Sequence, residues 1–586
     1  MCQGMSPPDR VRSSGPEPSS FPMPTSEPGP SSVPAASSPA RWSETSRPWG
    51  SGPGCEIPND GMAFERAEQS LTTRPPLASR GMTFRTNVAA SYVSQLYVSL
   101  IGIAMLPTYL RYMGAEAYGL VGLFAVVQAW FQVLDLGLSA TLSREAARTT
   151  SGANDAVALR RLLRAMETFY GAAALIGGGL FAAGRGWISD RWLRVEALPQ
   201  DEVRLALILM GAAVALRWIA GLYRSAVNGF EHQVWLGAVN AMTATARYVL
   251  IIPVFIFVGT SPVVFFSYQL AVGSAEVLLL VTRTYGTLKT FDLCERPRST
   301  SAPTSLRVAL RFSMAIAVSG TLWIIVTQSD KLLLSRMLPL SEYAYFTLAV
   351  VVASGITMIA SPISAAILPR LSRLHADQKV DQLVETYRLC TQTVAILVVP
   401  ITAILSIVPE QLLWAWTGDP ILADRAAPVL RWYALGNGLM AICAFPYYLQ
   451  YAHGRLRLHV IGSVLFAVVL LPTVWLGALR FGPSGAAMAW LGTNLLYAVV
   501  WVPLVHSHLQ PGLHLRWAFR DVLAIAIPGV LITMVLRNYI DWPTNRLEVG
   551  IRAALIAVAA ICASATASPA ARTAVARLFG RKKLAQ

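Results

Sequence analysis

Apolar runs of about twenty residues, each long enough to cross a hydrocarbon core of roughly 30 Å, recur from residue 86 almost to the end of the chain. Their spacing predicts helices over 86–107, 117–137, 165–184, 203–222, 234–258 and 262–282 in a first half. A second half follows over 308–328, 341–366, 388–408, 426–450, 457–479 and 483–505, and a final pair over 518–537 and 549–568. Short polar, Arg-rich segments separate them. The pattern is that of an all-α polytopic membrane protein of about fourteen transmembrane helices: two parallel six-helix lobes and a C-terminal helix pair. The divisions fall at 83–300, 301–510 and 511–586.

The first 82 residues break the pattern. Fifteen of the first 80 are Pro, Ser and Gly fill much of the rest, and no apolar run resembles a signal peptide. Such a stretch buries no core and is expected to be disordered. It fits two descriptions: a mis-called start ahead of Met82, or a genuine cytosolic tail.

Composition agrees with the hydropathy: 54% of residues are hydrophobic and 14% charged. The formal charge of +16 is spread through inter-helix segments rather than gathered on one stripe, which argues against nucleic acid. It is instead topological. With the N-terminus inside, the inner loops hold Arg144, Arg148, Arg160, Arg161 and Arg164, then Arg283 and Lys289, Arg370 and Arg373, Arg455 and Arg457, and Arg577 to Lys583. The outer loops carry less than half as many cations, so both termini are expected to be cytoplasmic. The six Cys form no CxxC or CxxH spacing, and no metal site or cofactor is expected.

An internal repeat links the two halves. Glu116 and Arg144 recur as Glu342 and Arg370, both 226 residues on, and Asn228-Gly229 and Gly237 recur as His453-Gly454 and Gly462 at an offset of 225. Two like-oriented six-helix lobes with a site between them at the bilayer midplane is a transporter arrangement.

Specific runs then carry a resemblance. Leu106-Pro107-Thr108-Tyr109-Leu110-Arg111-Tyr112-Met113-Gly114-Ala115-Glu116-Ala117-Tyr118-Gly119-Leu120 resembles the first outer turn of the polysaccharide transporter flippases, a branch of the multidrug/oligosaccharidyl-lipid/polysaccharide exporter superfamily. Leu134-Asp135-Leu136-Gly137-Leu138-Ser139 is similar to that family's second-helix end, and Asp330-Lys331-Leu332-Leu333-Leu334-Ser335-Arg336 to its junction of helices seven and eight. The likeness spans roughly residues 83–505. It implies a bacterial inner-membrane flippase for polysaccharide or O-antigen precursors, with a cation-lined cavity that opens alternately to either side. The implied partners are a polyprenyl-pyrophosphate-linked glycan, membrane lipids and the polysaccharide polymerase machinery.

Ionisable residues inside apolar runs are the candidates for chemistry, because a charge at the bilayer centre costs on the order of 2.5–3.5 kcal/mol. Arg247 lies about halfway along the fifth helix and is the first choice. Arg217 in the fourth helix and Glu276 in the sixth share a depth, and are read either as an ion pair or as ligand residues. Asp330 and Lys331 lie near the outer end of the seventh. Arg247, Arg217 and Lys331 would supply the cations that a pyrophosphate needs; Glu276 and Asp330 are possible coupling or pairing acids. Arg247 and Glu276 could equally form a structural pair.

Other features read more simply. Trp414 and Trp416 suit an interfacial belt better than sugar stacking, and His506, His508 and His514 suit a positive inner loop better than a metal site. Pro253, Pro362, Pro400, Pro446 and Pro472 sit within apolar runs, where each permits a kink. No GxxxxGK[ST] run exists for an ATP-driven exporter. A cation–drug antiporter would want deep carboxylates in the first lobe, and a membrane glycosyltransferase would want paired carboxylates in an outer loop, where Glu116 stands alone. The expected activity is transport rather than enzymatic catalysis.

Overall fold

The computed structural model describes residues 77–151, 155–294 and 306–573. The Pro-rich segment up to residue 76 and the basic tail from 574 lie outside the described residues, so the expectations for both stay with the sequence; residues 77–82 are helical.

Among the described residues the chain is helical throughout, with one isolated backbone bridge and no strand of its own. The first half comprises α1 (Leu77–Ala104), α2 (Leu106–Met113), α3 (Ala115–Phe131), α4 (Leu138–Thr150), α5 (Ala156–Ala183), α6 (Gln200–Gly229), α7 (Gln233–Tyr248), α8 (Ile251–Phe257) and α9 (Pro262–Cys294). The second comprises α10 (Leu306–Met337), α11 (Leu340–Ala376), α12 (Val380–Ile407), α13 (Pro409–Thr417), α14 (Pro420–Cys443), α15 (Phe445–Ala452), α16 (Arg457–Leu496) and α17 (Val502–Leu509). Two closing helices, α18 (Leu513–Tyr539) and α19 (Arg546–Ala567), pack on each other and on α12.

Each of the fourteen apolar runs falls on these helices. Among the described residues ten continuous spans are long and apolar enough to cross a membrane, and α5, α10 and α14 are not among these ten. One of the ten, Arg457–Leu509, contains two runs divided at Gly482, whose φ of 59° ends one helix and begins the next. The outward faces of the helices are apolar: Leu175, Leu180, Phe257 and Val499 are all more than 60% exposed. Water would not tolerate such a continuous apolar surface, whereas lipid does.

Breaks occur where backbone chemistry forces them. The fifth span parts at Val249 and Leu250, four residues ahead of Pro253, whose ring would collide with the Val249 carbonyl in an unbroken helix. The tenth parts at Ala444, just ahead of Pro446. Pro362, Pro400 and Pro472 lie within helices that run on unbroken past the proline itself. The second span has no proline, and bends instead at Leu136 and Gly137, both left-handed.

The two halves meet along α3 and α11. A Cβ on Gly119 would lie 2.3 Å from the Leu340 carbonyl, and one on Gly122 would lie 2.7 Å from the Thr347 hydroxyl, so only glycine allows this approach. The repeat is visible here: Glu116 and Glu342 each stand in the first turn of these two helices. Their partners differ, with Glu116 accepting from backbone amides and Glu342 pairing with Arg425 at 3.1 Å.

Candidate functional site: a cationic cavity between the halves

Below the α3–α11 contact the helices part around a cavity of about 620 Å³. Its walls come from α1, α2, α3, α6, α7 and α9 on one side and α10, α11, α14 and α16 on the other. The lining carries two charged side chains, Arg217 and Lys331, both cationic and from opposite halves.

Arg217 projects from α6. Its Nη1 donates to Gln128 Oε1 at 2.5 Å, and its guanidinium lies 5.3 Å from the Phe124 ring centroid, a cation–π distance. Neither partner is an anion, so the positive charge is not neutralised by them. Lys331, on α10, donates through Nζ to the Thr327 carbonyl and to Asp330 Oδ1, the latter at 3.2 Å. Its side chain is 17% exposed and that of Asp330 1%. The Asp330 carboxylate also accepts a hydrogen bond from the Tyr433 hydroxyl and does not line the cavity. Cations therefore face the space and acids stand behind them.

Glu276 and Arg247 form the deeper layer. Arg247, the last basic residue of α7 before the break, is 4% exposed and donates through Nη2 to Glu276 Oε2 at 2.5 Å. Glu276 is fully buried and also pairs with Arg224. The Arg217–Glu276 pairing expected from their common depth does not form: Arg224, two turns further along α6, reaches the carboxylate, and Arg217 turns to Gln128. Arg247 is not among the residues lining the cavity, but its backbone carbonyl accepts from Tyr109 at 3.0 Å and from Gln269 at 3.4 Å, and both of these side chains do line it. The ion pair thus fixes the wall rather than the lumen.

The rest of the lining is amide, hydroxyl and aromatic. Gln128, Gln269, Gln328 and Asn437 supply donors and acceptors, and Tyr248, Trp323, Tyr433 and Trp490 supply rings. Trp490 is locked in place: its Nε1 donates to Asn437 at 3.0 Å, Tyr433 stacks on it at 6.0 Å, and Gly436 lies so close that a Cβ there would sit 2.3 Å from the indole. A search for ionisable residues alone passes over these groups. The signal was nevertheless present, since all four amides fall inside apolar runs where an uncharged polar group also demands a partner.

The other candidates lie elsewhere. Trp414 and Trp416 are on α13, where the Ala415 and Trp416 carbonyls accept from Arg546, and neither lines the cavity. His506 is not a solvated loop residue: it is fully buried, with Nε2 2.8 Å from the Tyr387 hydroxyl and Nδ1 3.1 Å from His514. No group of three or more His, Cys, Asp or Glu with metal-holding geometry occurs among the described residues.

Comparison with known proteins bears on this arrangement. A model of the family described as polysaccharide biosynthesis proteins matches residues 84–375, and the MatE model matches 315–476. A search of curated protein sequences gives no match. Among solved structures, the lipid II flippase MurJ in an inward closed conformation superposes with a TM-score of 0.61 at 12% identity, covering 81% of this chain and 98% of that one. An inward-facing multidrug resistance transporter of the MATE family gives 0.57 at 15% identity over 70% of this chain and 94% of its own. The MATE multidrug transporter DinF-BH gives 0.52 at 14% identity over 76% and 98%. With the two family matches running from residue 84 to 476 and the fold shared over 70–81% of the chain, the chain belongs to the multidrug/oligosaccharidyl-lipid/polysaccharide exporter superfamily.

Proposed function

We propose that this protein flips a polyprenyl-pyrophosphate-linked oligosaccharide across a bacterial inner membrane for polysaccharide or O-antigen assembly. The observation that carries the reading is the charge of the cavity: Arg217 and Lys331 are its charged lining residues, and Glu276 and Asp330 are each held in ion pairs behind the wall. A diphosphate entering a space of low dielectric needs fixed cations, and a guanidinium can donate to two of its oxygens at once. The amides and rings suit sugar hydroxyls and ring faces. A drug cation would instead meet the Arg217 guanidinium and a lining without a carboxylate, which disfavours the antiporter alternative that the MatE match raises.

In this reading Arg217 and Lys331 hold the pyrophosphate from opposite halves, and Arg247 and Glu276 keep the first-half wall in shape around it. The halves divide at residues 300 and 510, fourteen helices cross the bilayer with both termini cytoplasmic, and the cavity opens alternately to either side. The polymerase machinery that consumes the flipped unit is the expected downstream partner. The test is reconstitution: vesicles carrying the protein should move a fluorescent polyprenyl-pyrophosphate glycan between leaflets, and Arg217→Gln with Lys331→Gln should stop this without lowering the amount of protein. Equal movement by the double variant would overturn the reading.

A further inference from the structure

The segment between α5 and α6 does more than connect them. After a π-turn over Ile188–Trp192 the chain runs extended and lies against the junction of α10 and α11 in the other half. The Trp192 indole donates through Nε1 to Ser335 Oγ at 3.0 Å, and the Arg336 guanidinium sits 5.5 Å from the Trp192 ring centroid. Arg194 bridges Pro339, with the Leu340 amide donating to the Arg194 carbonyl at 3.0 Å. These contacts run from the first half to the second.

The same segment is held from its own side by one carboxylate. Glu116, in the first turn of α3, accepts from the amides of Glu196, Ala197 and Leu198 at 2.5, 2.8 and 3.1 Å. Three successive N–H groups on one anion form a nest, and its location at a helix N-terminus adds to the field that holds the charge there. Those amides would otherwise have only water as a partner.

The location gives the segment its consequence. It covers the end of the molecule where Gly119 meets Leu340 and Gly122 meets Thr347. The cavity lining starts at that level and continues away from it, through Gln128 on α3 and Thr357 on α11, about 9 Å and 15 Å further along at 1.5 Å per residue. Separating α3 from α11 at this end would open the cavity here, and the segment spans that seam.

We propose that residues 192–198 are an inter-half strap, tensioned by Glu116, that must release the 335–340 junction before the cavity can open at this end. Its link to transport rests on the alternating-access reading above; its attachment does not. Opening then requires Trp192 to leave Ser335 and the Arg194–Leu340 bond to break, while the Glu116 nest sets how firmly the strap is presented for reclosing.

The experiment uses the full chain in lipid nanodiscs, with its six native cysteines replaced and Arg194→Cys and Pro339→Cys introduced. Bridge partners lie about 5 Å apart, within the range a disulfide spans. Oxidation by copper phenanthroline should cross-link this pair rapidly. Adding Glu116→Ala should slow the reaction about tenfold or more, a change equivalent to about 1.4 kcal/mol, and Glu116→Gln, which keeps one acceptor oxygen, should fall between. An unchanged rate in Glu116→Ala overturns the proposal; if that variant fails to reach the membrane, an unchanged rate in Glu116→Gln does so. In vesicles the oxidised pair should stop glycolipid movement and reductant should restore it. Movement at the reduced rate with the disulfide intact overturns the gating role. If the reduced protein moves no glycolipid while Glu116 still governs cross-linking, the strap stands and the flippase reading falls.

Discussion

Replacing Glu276 with Gln would leave Arg247 and Arg224 facing each other without the carboxylate that both now share. Arg247 is 4% exposed, and removing one member of a buried ion pair typically costs about 3–5 kcal/mol. The reciprocal change is milder. In Arg247→Met, Glu276 keeps Arg224, so the loss is one charge-assisted hydrogen bond, about 1.5–3 kcal/mol, offset in part by the apolar side chain. Removing both, as Glu276→Leu with Arg247→Met, leaves only Arg224, whose side chain is 37% exposed and can carry its charge outward along its stem. The expected order of stability is therefore wild type, then Arg247→Met, then the double variant, with Glu276→Gln lowest. Thermal unfolding in nanodiscs, followed by retention of the monodisperse species, reads this order. Glu276→Gln should lower the midpoint by on the order of 5 °C or more. A midpoint within a degree of wild type for Glu276→Gln, or a double variant worse than Glu276→Gln, would refute the argument that the triad is a wall support.

Three further outcomes follow from the packing. Gly122→Leu places a side chain where the Thr347 hydroxyl lies 2.7 Å from the Cβ position, so it should weaken the α3–α11 seam and slow the Arg194–Pro339 cross-link. Asp521→Asn should loosen the closing helix pair, because Asp521 binds Arg388 at 2.6 and 2.9 Å and Gln392 at 2.7 Å; proteolysis of α18 and α19 in nanodiscs should accelerate. Gly436→Ala should displace the Trp490 indole and, if the rings hold sugar, reduce glycan affinity several-fold while phosphate-only competitors bind as before.

The helices were legible in the sequence because the bilayer imposes length and apolarity on each one separately, so every apolar run from 86–107 to 549–568 falls on a helix. Arg217 and Lys331 were legible for the related reason that a charge in such a run requires an explanation. What depth alone did not resolve was partner choice. Arg217, Arg224 and Arg247 all lie near Glu276 in sequence depth; Arg217 and Arg224, two turns apart, share one face of α6, so it is axial level, about 10 Å at 1.5 Å per residue, that gives Arg224 to the carboxylate and leaves Arg217 at the lumen beside Gln128. His506 shows the same limit, since one residue at a helix end can point to water or into a core, and here it meets Tyr387 from a helix more than a hundred positions away. The strap was illegible because the groups that fix it, the amides of residues 196–198 on Glu116 and the Arg194 carbonyl under Leu340, belong to the backbone, which every residue carries.

The central claim is that two cations from opposite halves hold an anionic head group inside this cavity. Its most direct measurement is binding of a soluble pyrophosphate-linked sugar to the nanodisc-embedded protein by calorimetry, comparing wild type with Arg217→Gln, Lys331→Gln and the double variant. Each single change should weaken binding at least about tenfold, a factor equivalent to about 1.4 kcal/mol, with the double variant giving no measurable heat and Arg217→Lys retaining part of the affinity. Affinity unchanged in the double variant, with the protein folded by thermal midpoint, would contradict it.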